Sequence, residues 1–418
     1  MEHYTFAGCD AVALARTYGT PLYVVSEDEI ERRIRRIRAC FDERWERCTT
    51  FFAAKSFLTR DMLRLLVREG LGLDVVSGGE LFLAREMGFP PERIAFHGNS
   101  KTEAEIAAGL DYGVGKFVCD SVDEIAYIDA MARRRHTATD ILIRVTPGVD
   151  SHTHSYMATA GTDCKFGVPI PDLERAVSLC LSMTGVRLRG LHFHVGSQLQ
   201  ENTSHLLATD ILLGLIHSLR ERTGFTTEIL DLGGGFGVPY TEKDAPQPVE
   251  AFVVPMVERV RTFCAENDIP RPALVIEPGR WIVAEAGITL YTVGSVKETP
   301  EGRTFVGVDG GFPDNPRPAL YQAEYRAVLA DRPDAPAKRR TTIAGKCCES
   351  GDIVIRDIAF PEARRGDTVA VLATGAYHHS MANNYNKHPI PAVVAVRDGV
   401  PRLSVRRQTC EEMYAAHL

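Results

Sequence analysis

Eight short apolar runs, separated by amphipathic segments, constrain this chain more than any other feature. They lie at 51–54, 73–76, 94–97, 116–119, 141–145, 191–195, 228–232 and 273–277, and most of the early repeats are near 22 residues. Segments of helical spacing fall between them, such as GELFLAREMG, KTEAEIAAGL, DEIAYIDAMARRR, DLERAVSLCL and VEAFVVPMVERVRTFC. Eight strands alternating with helices fit a closed (β/α)8 barrel better than an open doubly wound sheet. After about residue 285 the helical rhythm stops and short alternating β runs take over, which predicts a separate β domain. The run PLYVV at 21–25 stands outside the eightfold count and is available to pair with that domain. A Ser26–Glu29 capping box then opens a helix with Ile30, Ile34, Ile37 and Phe41 inward. The expected division is therefore a barrel over 27–283 and a β domain made of 1–26 plus 284–418.

Composition narrows the class of partner. The chain is 44% hydrophobic and 25% charged, which suits a globular protein rather than a disordered one. A formal charge of −7 argues against a nucleic-acid surface, and ERRIRRIR at 31–38 reads as a solvated helix face. Ten cysteines lack zinc or disulfide spacing, the N-terminus lacks the pattern of a signal peptide, and no apolar run approaches membrane-spanning length. The expectation is a cytoplasmic protein acting on small molecules.

The unusual residues cluster where barrel enzymes gather their chemistry, just after the predicted strands. Lys55 closes the first run, in TTFFAAKSF. Surrounded by Phe and Ala it is expected to be desolvated, with a lowered pKa that frees its amine for attack on a carbonyl; the plainer reading is a lysine snorkelling to water. Asp74 lies in strand two, Arg144 in strand five, and His192, His194 and Ser197 close strand six. The run Gly233-Gly234-Gly235-Phe236-Gly237 follows strand seven, where bare backbone N–H groups can approach a phosphate, although such a run also serves a tight turn. Glu277 follows strand eight and offers a carboxylate to a pyridine nitrogen. Lysine, glycine loop and acid together describe the requirements of pyridoxal 5'-phosphate. His194 in the H-F-H motif has no evident third ligand, so no metal is expected and its ring is assigned to stack on the cofactor.

The motifs AAKSF, LGLDVVSGGEL, FHGNSK, HFHVGSQ, DLGGGFG, EPGRWIVAEAG, VDGGFPDNPRPALY, CCESGD and GAYHHSMANNYN run in order along nearly the whole chain. In them the sequence resembles the fold-type III pyridoxal-phosphate-dependent decarboxylases, above all the members that act on diaminopimelate. The resemblance implies that Lys55 is the Schiff-base lysine. It makes Ser197, Gly233, Gly234, Gly235, Gly279 and Arg280 the phosphate cradle, and sets Glu277 on the pyridine nitrogen and His194 against the ring. Asp74 and Arg144 support these groups. Arg280, Arg317, Tyr321, Glu349 and Tyr377 match substrate or cofactor contacts, and Cys348 matches the proton donor. In such enzymes the CCES and GAY segments enter the site from a partner subunit, which implies a homodimer with shared active sites. Lys346-Cys347 replaces a more apolar pair in this family.

The activity so implied is decarboxylation of meso-2,6-diaminopimelate to L-lysine and carbon dioxide, the closing step of lysine biosynthesis. Arg280 and Arg317 would fork onto the second carboxylate of that substrate while Glu349 meets its ammonium. Three alternatives stand beside it. Ornithine, lysine or arginine is the substrate on the same scaffold; the chain is a non-catalytic pyridoxal-phosphate carrier, against which the β domain bearing Cys348 and Tyr377 speaks; or it is a racemase, which needs a two-sided acid/base pair.

Overall fold

The computed structural model describes residues 2–149 and 164–418, and within them the eight expected strands close into a parallel barrel. Barrel strands one to eight are Cys48–Ala53, Gly72–Val75, Ile94–Phe96, Lys116–Cys119, Thr139–Thr146, Val186–His192, Ile229–Asp231 and Ala273–Ile276. Each pairs in parallel with its neighbour, strand five with strand six and strand eight back onto strand one, through Leu274↔Cys48 to Ile276↔Thr50. Helices such as Arg60–Glu69, Val122–Arg134 and Val249–Glu266 fill the connections. They begin where sequence chemistry allows: Thr59 accepts from Met62 N–H, and Ser121 from Glu124 N–H. Ser26 Oγ likewise accepts from Glu29 N–H at 3.2 Å, and Ile30, Ile34, Ile37 and Phe41 of the helix Glu27–Phe41 are all buried.

Strand six lies earlier than the apolar run 191–195 predicts, at Val186–His192. Arg187 and Arg189 on its outward face hide it from an apolar search, and each reaches an acid, Arg187 Nε to Asp140 at 2.6 Å and Arg189 Nη1 to Glu228 at 2.8 Å. His194 consequently sits on the loop after the strand. The helix Thr203–Thr223 carries its apolar residues so evenly that periodicity does not mark it.

By its internal contacts the chain divides into two compact units. One comprises Ile34–Gly237 and Pro246–Gly279, and holds the barrel. The other comprises Met1–Arg33, Val238–Ala245 and Arg280–Leu418, and holds the β sheet. That sheet runs in the order Ile353–Phe360, Arg339–Ala344, Thr304–Val308, Gly287–Glu298, Leu22–Ser26, Ala392–Arg397 and Val400–Val405. The N-terminal strand Leu22–Ser26 does join it, antiparallel to Gly287–Glu298 and parallel to Ala392–Arg397. Its five residues are buried throughout, which is the condition of a central strand.

Candidate active site

Strand periodicity places the polar groups of the barrel. Inward side chains recur at every second residue, and Phe51, Ala95, Val118, Leu142 and Val275, with Ile229 against them, make one apolar layer. Two residues further toward the strands' C-terminal ends stand Ala53, His97, Asp120, Arg144, Glu277 and Asp231. Asp74 follows Gly72 by the same step; a side chain at Gly72 would collide with the Phe51 ring at 2.7 Å. His192 is register-paired with both Arg144 and Asp231. A layer of ionisable groups thus lies on an apolar floor.

Glu277 is the centre of that layer. His97 Nε2 lies 2.7 Å from Glu277 Oε1, His192 Nε2 lies 3.3 Å from Oε2, and Asp231 is hydrogen-bonded to the same carboxyl. Burial opposes a charge on Glu277, but its neighbours His97 and His192 outweigh it and hold the carboxyl well below its usual range. Asp74 and Asp231 go the other way. Burial, reinforced by the neighbouring Glu277 charge, pushes both well above the carboxylate range. Burial also drives His97 down to about 4 and lowers His192, so both rings are neutral near pH 7. Of three buried carboxyls, the surroundings favour the charged form most at Glu277.

Lys55 stands on the single turn Ala54–Ser56 that ends strand one. The expected desolvation is absent: Ala54, Ser56 and Phe57 are buried while Lys55 itself is exposed. The turn sends the apolar neighbours into the protein body and leaves the amine accessible, as a group that must meet a carbonyl requires. Its charge is nonetheless felt in the layer, helping with Arg144 to depress His194, whose burial is the larger cause. Arg144 lies with its guanidinium 4.5 Å from the Phe166 ring centre.

The glycine loop after strand seven is held by its carbonyls. Gly233 O accepts from Glu277 N–H at 2.8 Å, Gly234 O is 2.9 Å from His205 Nε2, and Gly235 O accepts from Leu199 N–H at 3.0 Å. Tying these oxygens into the protein removes groups that would repel an anion. A side chain at Gly234 would meet Glu277 O at 2.3 Å, and Gly235, with φ of 96°, would meet Gly196 O at 2.2 Å. The loop can therefore lie flat against strands six and eight only as glycine. His194 borders it, its Nδ1 3.4 Å from the side-chain position of Gly233. Ser197 is exposed three residues on, and Gly279 packs against the Lys55 turn, with its side-chain position 2.9 Å from Ser56 Oγ.

The second unit carries a different arrangement. Arg280 and Arg317 are both buried, with guanidinium carbons 4.7 and 5.5 Å from the Tyr377 ring centre. Arg280 Nη1 donates to the Tyr240 hydroxyl at 2.5 Å and Arg317 Nε to the Tyr325 hydroxyl at 2.8 Å. Tyr325 packs edge-on to Tyr240 and to His378, whose neutral ring is driven down to about 3 by burial and by Arg317. Tyr321 is exposed, 5.7 Å from the Arg317 guanidinium. Cys348 and Glu349 lie on another loop, where Cys348 N–H donates to Asn386 Oδ1 at 3.0 Å and the Tyr385 hydroxyl to Glu349 Oε2 at 3.4 Å.

His97, the inward role of His192, Asp231, Tyr240, Tyr325 and His378 escape a reading of the sequence by strand-end position. The first three have a usable signal, since each is two residues beyond an inward residue of its strand. The H-F-H motif does have close ligand-type neighbours, but through His192: His97, His192 and Glu277 bring three such atoms within 4.8 Å of one another.

A barrel that presents an accessible lysine, a flattened glycine loop and one buried anion at the same end is suited to a phosphorylated, electron-withdrawing cofactor. Comparison with known proteins agrees. Residues 27–284 match the family described as pyridoxal-dependent decarboxylase, pyridoxal binding domain. The chain is similar to diaminopimelate decarboxylase of Bacillus methanolicus, 43% identical over 97% of this chain and 94% of the relative. It is equally similar to that of Bacillus subtilis strain 168, 43% identical over 98% and 94%. Among solved structures it resembles diaminopimelate decarboxylase from M. jannaschii in complex with L-lysine, with a TM-score of 0.93 at 32% identity over 100% of this chain and 96% of the other. The chain belongs to the pyridoxal-dependent decarboxylases, and its cofactor is pyridoxal phosphate. Among the described residues, no helix is long and apolar enough to cross a membrane.

Proposed function

We propose that this chain decarboxylates meso-2,6-diaminopimelate to L-lysine and carbon dioxide in the cytoplasm, as a homodimer with shared active sites. The observation that carries the substrate is the pair of buried arginines, Arg280 and Arg317, held by tyrosine hydroxyls and stacked on one tyrosine ring. A desolvated guanidinium in fixed orientation suits a carboxylate; Arg317 is idle toward a substrate that ends in a bare amine, while Arg280 beside it is shared with the cofactor phosphate. Full-length similarity to diaminopimelate decarboxylases supports the same reading.

Bound pyridoxal phosphate supplies the electron sink for loss of carbon dioxide. Lys55, accessible on its turn, would hold the cofactor. Ser197, Gly233, Gly234, Gly235 and Gly279, with Arg280, bind the phosphate; Asp74 and Arg144 support the barrel side of the site. His194 would orient the ring, and Glu277 would stand by the pyridine nitrogen, where a carboxylate favours a proton. Cys348 returns a proton to the substrate carbon, and Arg317, Tyr321, Glu349 and Tyr377 bind the substrate's far end. In this reading 27–283 serve the cofactor, while 1–26 plus 284–418 serve substrate and assembly.

Mass spectrometry of products from purified enzyme with diaminopimelate, lysine, ornithine and arginine, each with added cofactor, tests the reading. Turnover of diaminopimelate alone is expected. Comparable decarboxylation of lysine or ornithine would sink the substrate assignment and leave the cofactor in place.

A further inference from the structure

A carboxyl group and a pyridine nitrogen in a buried site share one proton, and its position decides whether the ring can act as an electron sink. In water the ionic form, carboxylate beside pyridinium, is well solvated. Inside a barrel, burial penalises both charges and favours the neutral pair, in which the acid keeps the proton and the ring loses its pull. A family enzyme that relies on one carboxylate must offset this bias with its own groups.

Around Glu277 such groups are on three sides. His192 Nε2 lies 3.3 Å from Oε2, and the Nδ1 of the same buried ring has no hydrogen-bond partner among the described residues. A bare lone pair at a buried Nδ1 costs less than a proton with no acceptor, so the tautomer that places hydrogen on Nε2 is favoured and points it at Glu277. His97 reaches the other oxygen, Nε2 to Oε1 at 2.7 Å, a close contact that lies off the ideal N–H axis and so acts by electrostatics more than by direction. The two rings meet edge to face with centres 4.9 Å apart, closing the sides of the carboxyl. Asp231, whose carboxyl burial and the Glu277 charge push well above the usual range, is hydrogen-bonded to that carboxyl from strand seven. Asp74 Oδ1 lies 3.7 Å from the same His97 nitrogen.

We propose that His192, by donating a hydrogen bond into the Glu277 carboxylate, and His97, by its close polar contact with the other carboxylate oxygen, are positioning residues that, assisted by Asp231, keep Glu277 anionic and so leave the shared proton on the pyridine nitrogen of the cofactor. The inference rests on the reading that Glu277 faces that nitrogen. It extends the reading by assigning the cofactor's protonation state to neighbours of Glu277 as well as to Glu277 itself. The depressed histidines fit this role, because a neutral imidazole donates without adding a cation that would compete with the pyridinium.

The test uses full-length holoenzyme reconstituted with pyridoxal phosphate labelled with nitrogen-15 in the ring, whose resonance reports protonation directly. Wild type is expected in the protonated range at neutral pH. Replacing both side chains, His97→Leu with His192→Leu, is expected to move the resonance toward free pyridine and lower kcat by about 100-fold with little change in KM. The His97→Gln, His192→Gln chain keeps side-chain N–H donors and is expected to hold the protonated resonance and recover kcat to within about ten-fold of wild type. An unprotonated resonance in wild type, or an unchanged one in the leucine chain with cofactor bound, overturns the proposal. So does one equivalent of zinc in the purified enzyme, since a metal would occupy the Nε2 lone pairs. A wild-type chain that takes up no pyridoxal phosphate defeats the underlying reading instead. Should the leucine pair fail to fold, the wild-type resonance and the single variant His192→Leu decide.

Discussion

Arg317 Nε donates to the Tyr325 hydroxyl at 2.8 Å, and both side chains are buried. An arginine held this way presents its remaining N–H groups in one direction, which fixes the orientation of an otherwise mobile cation. Removing the guanidinium altogether, as Arg317→Ala, is expected to lower kcat/KM for diaminopimelate by a factor of about 30 to several thousand, because an interaction with a buried charge costs roughly 2–5 kcal/mol to lose. Tyr325→Phe keeps the ring and deletes only the hydroxyl. It is expected to raise KM by about ten-fold with kcat nearly unchanged, and steady-state kinetics that leave KM where it was would remove Tyr325 from substrate recognition.

Lys55 is expected to carry the cofactor. Lys55→Ala should abolish turnover, and borohydride reduction followed by peptide mapping should find the pyridoxyl group on Lys55. A label on Lys101, Lys116 or Lys165 would end the assignment. Lys101 is already committed, with Nζ 2.6 Å from Glu124 and 2.7 Å from Gly98 O.

Subunit mixing tests the shared site. If Cys348 acts in the partner's site, refolded mixtures of Lys55→Ala and Cys348→Ala chains recover about a quarter of wild-type sites, since about half of random dimers are mixed and each has one intact site. No recovery despite verified exchange would place both groups on one chain.

The Lys101–Glu124 pair is expected to matter for stability rather than chemistry. Both side chains are nearly inaccessible, and Glu124 Oε2 also accepts from Asp120 N–H at 2.6 Å. Lys101→Met strands a buried carboxylate, so it should cost about 3–5 kcal/mol in denaturant unfolding. A loss below about 1 kcal/mol would show that water reaches the site.

Asp314 gives the β unit a pH dependence. Burial raises its carboxyl to about 7, against the hydrogen bonds it accepts from Tyr291 and Gly311. The folded chain therefore holds a proton that the unfolded chain releases near pH 4, and stability falls as pH rises from about 4 to about 7. Between pH 5 and pH 8 the wild type should lose about 2 kcal/mol relative to Asp314→Asn, measured as the difference between their unfolding free energies at each pH. A constant difference across that range would mean that Asp314 is ionised throughout.

What the sequence determined by itself is periodic. Eight apolar runs at nearly regular spacing specify a parallel barrel because each strand needs a crossover helix before the next can pair. The same spacing locates Lys55, the glycine run and Glu277 at one end, since the loops after parallel strands all leave by the same end. The change to short alternating runs after about residue 285 likewise marks the β domain, and PLYVV supplies the strand it lacks. Strand six was expected at 191–195 and begins earlier, at Val186, because two arginines on its outer face break the apolar run there. The tertiary structure decided what spacing cannot carry. Local composition surrounds Lys55 with apolar residues, yet the backbone turn exposes it, because burial depends on where neighbours point rather than on what they are. The same holds for charge: Glu277, Asp74 and Asp231 are alike as carboxyls in the sequence, and only the closing of strand eight beside the histidines of strands three and six determines which one most favours a negative charge.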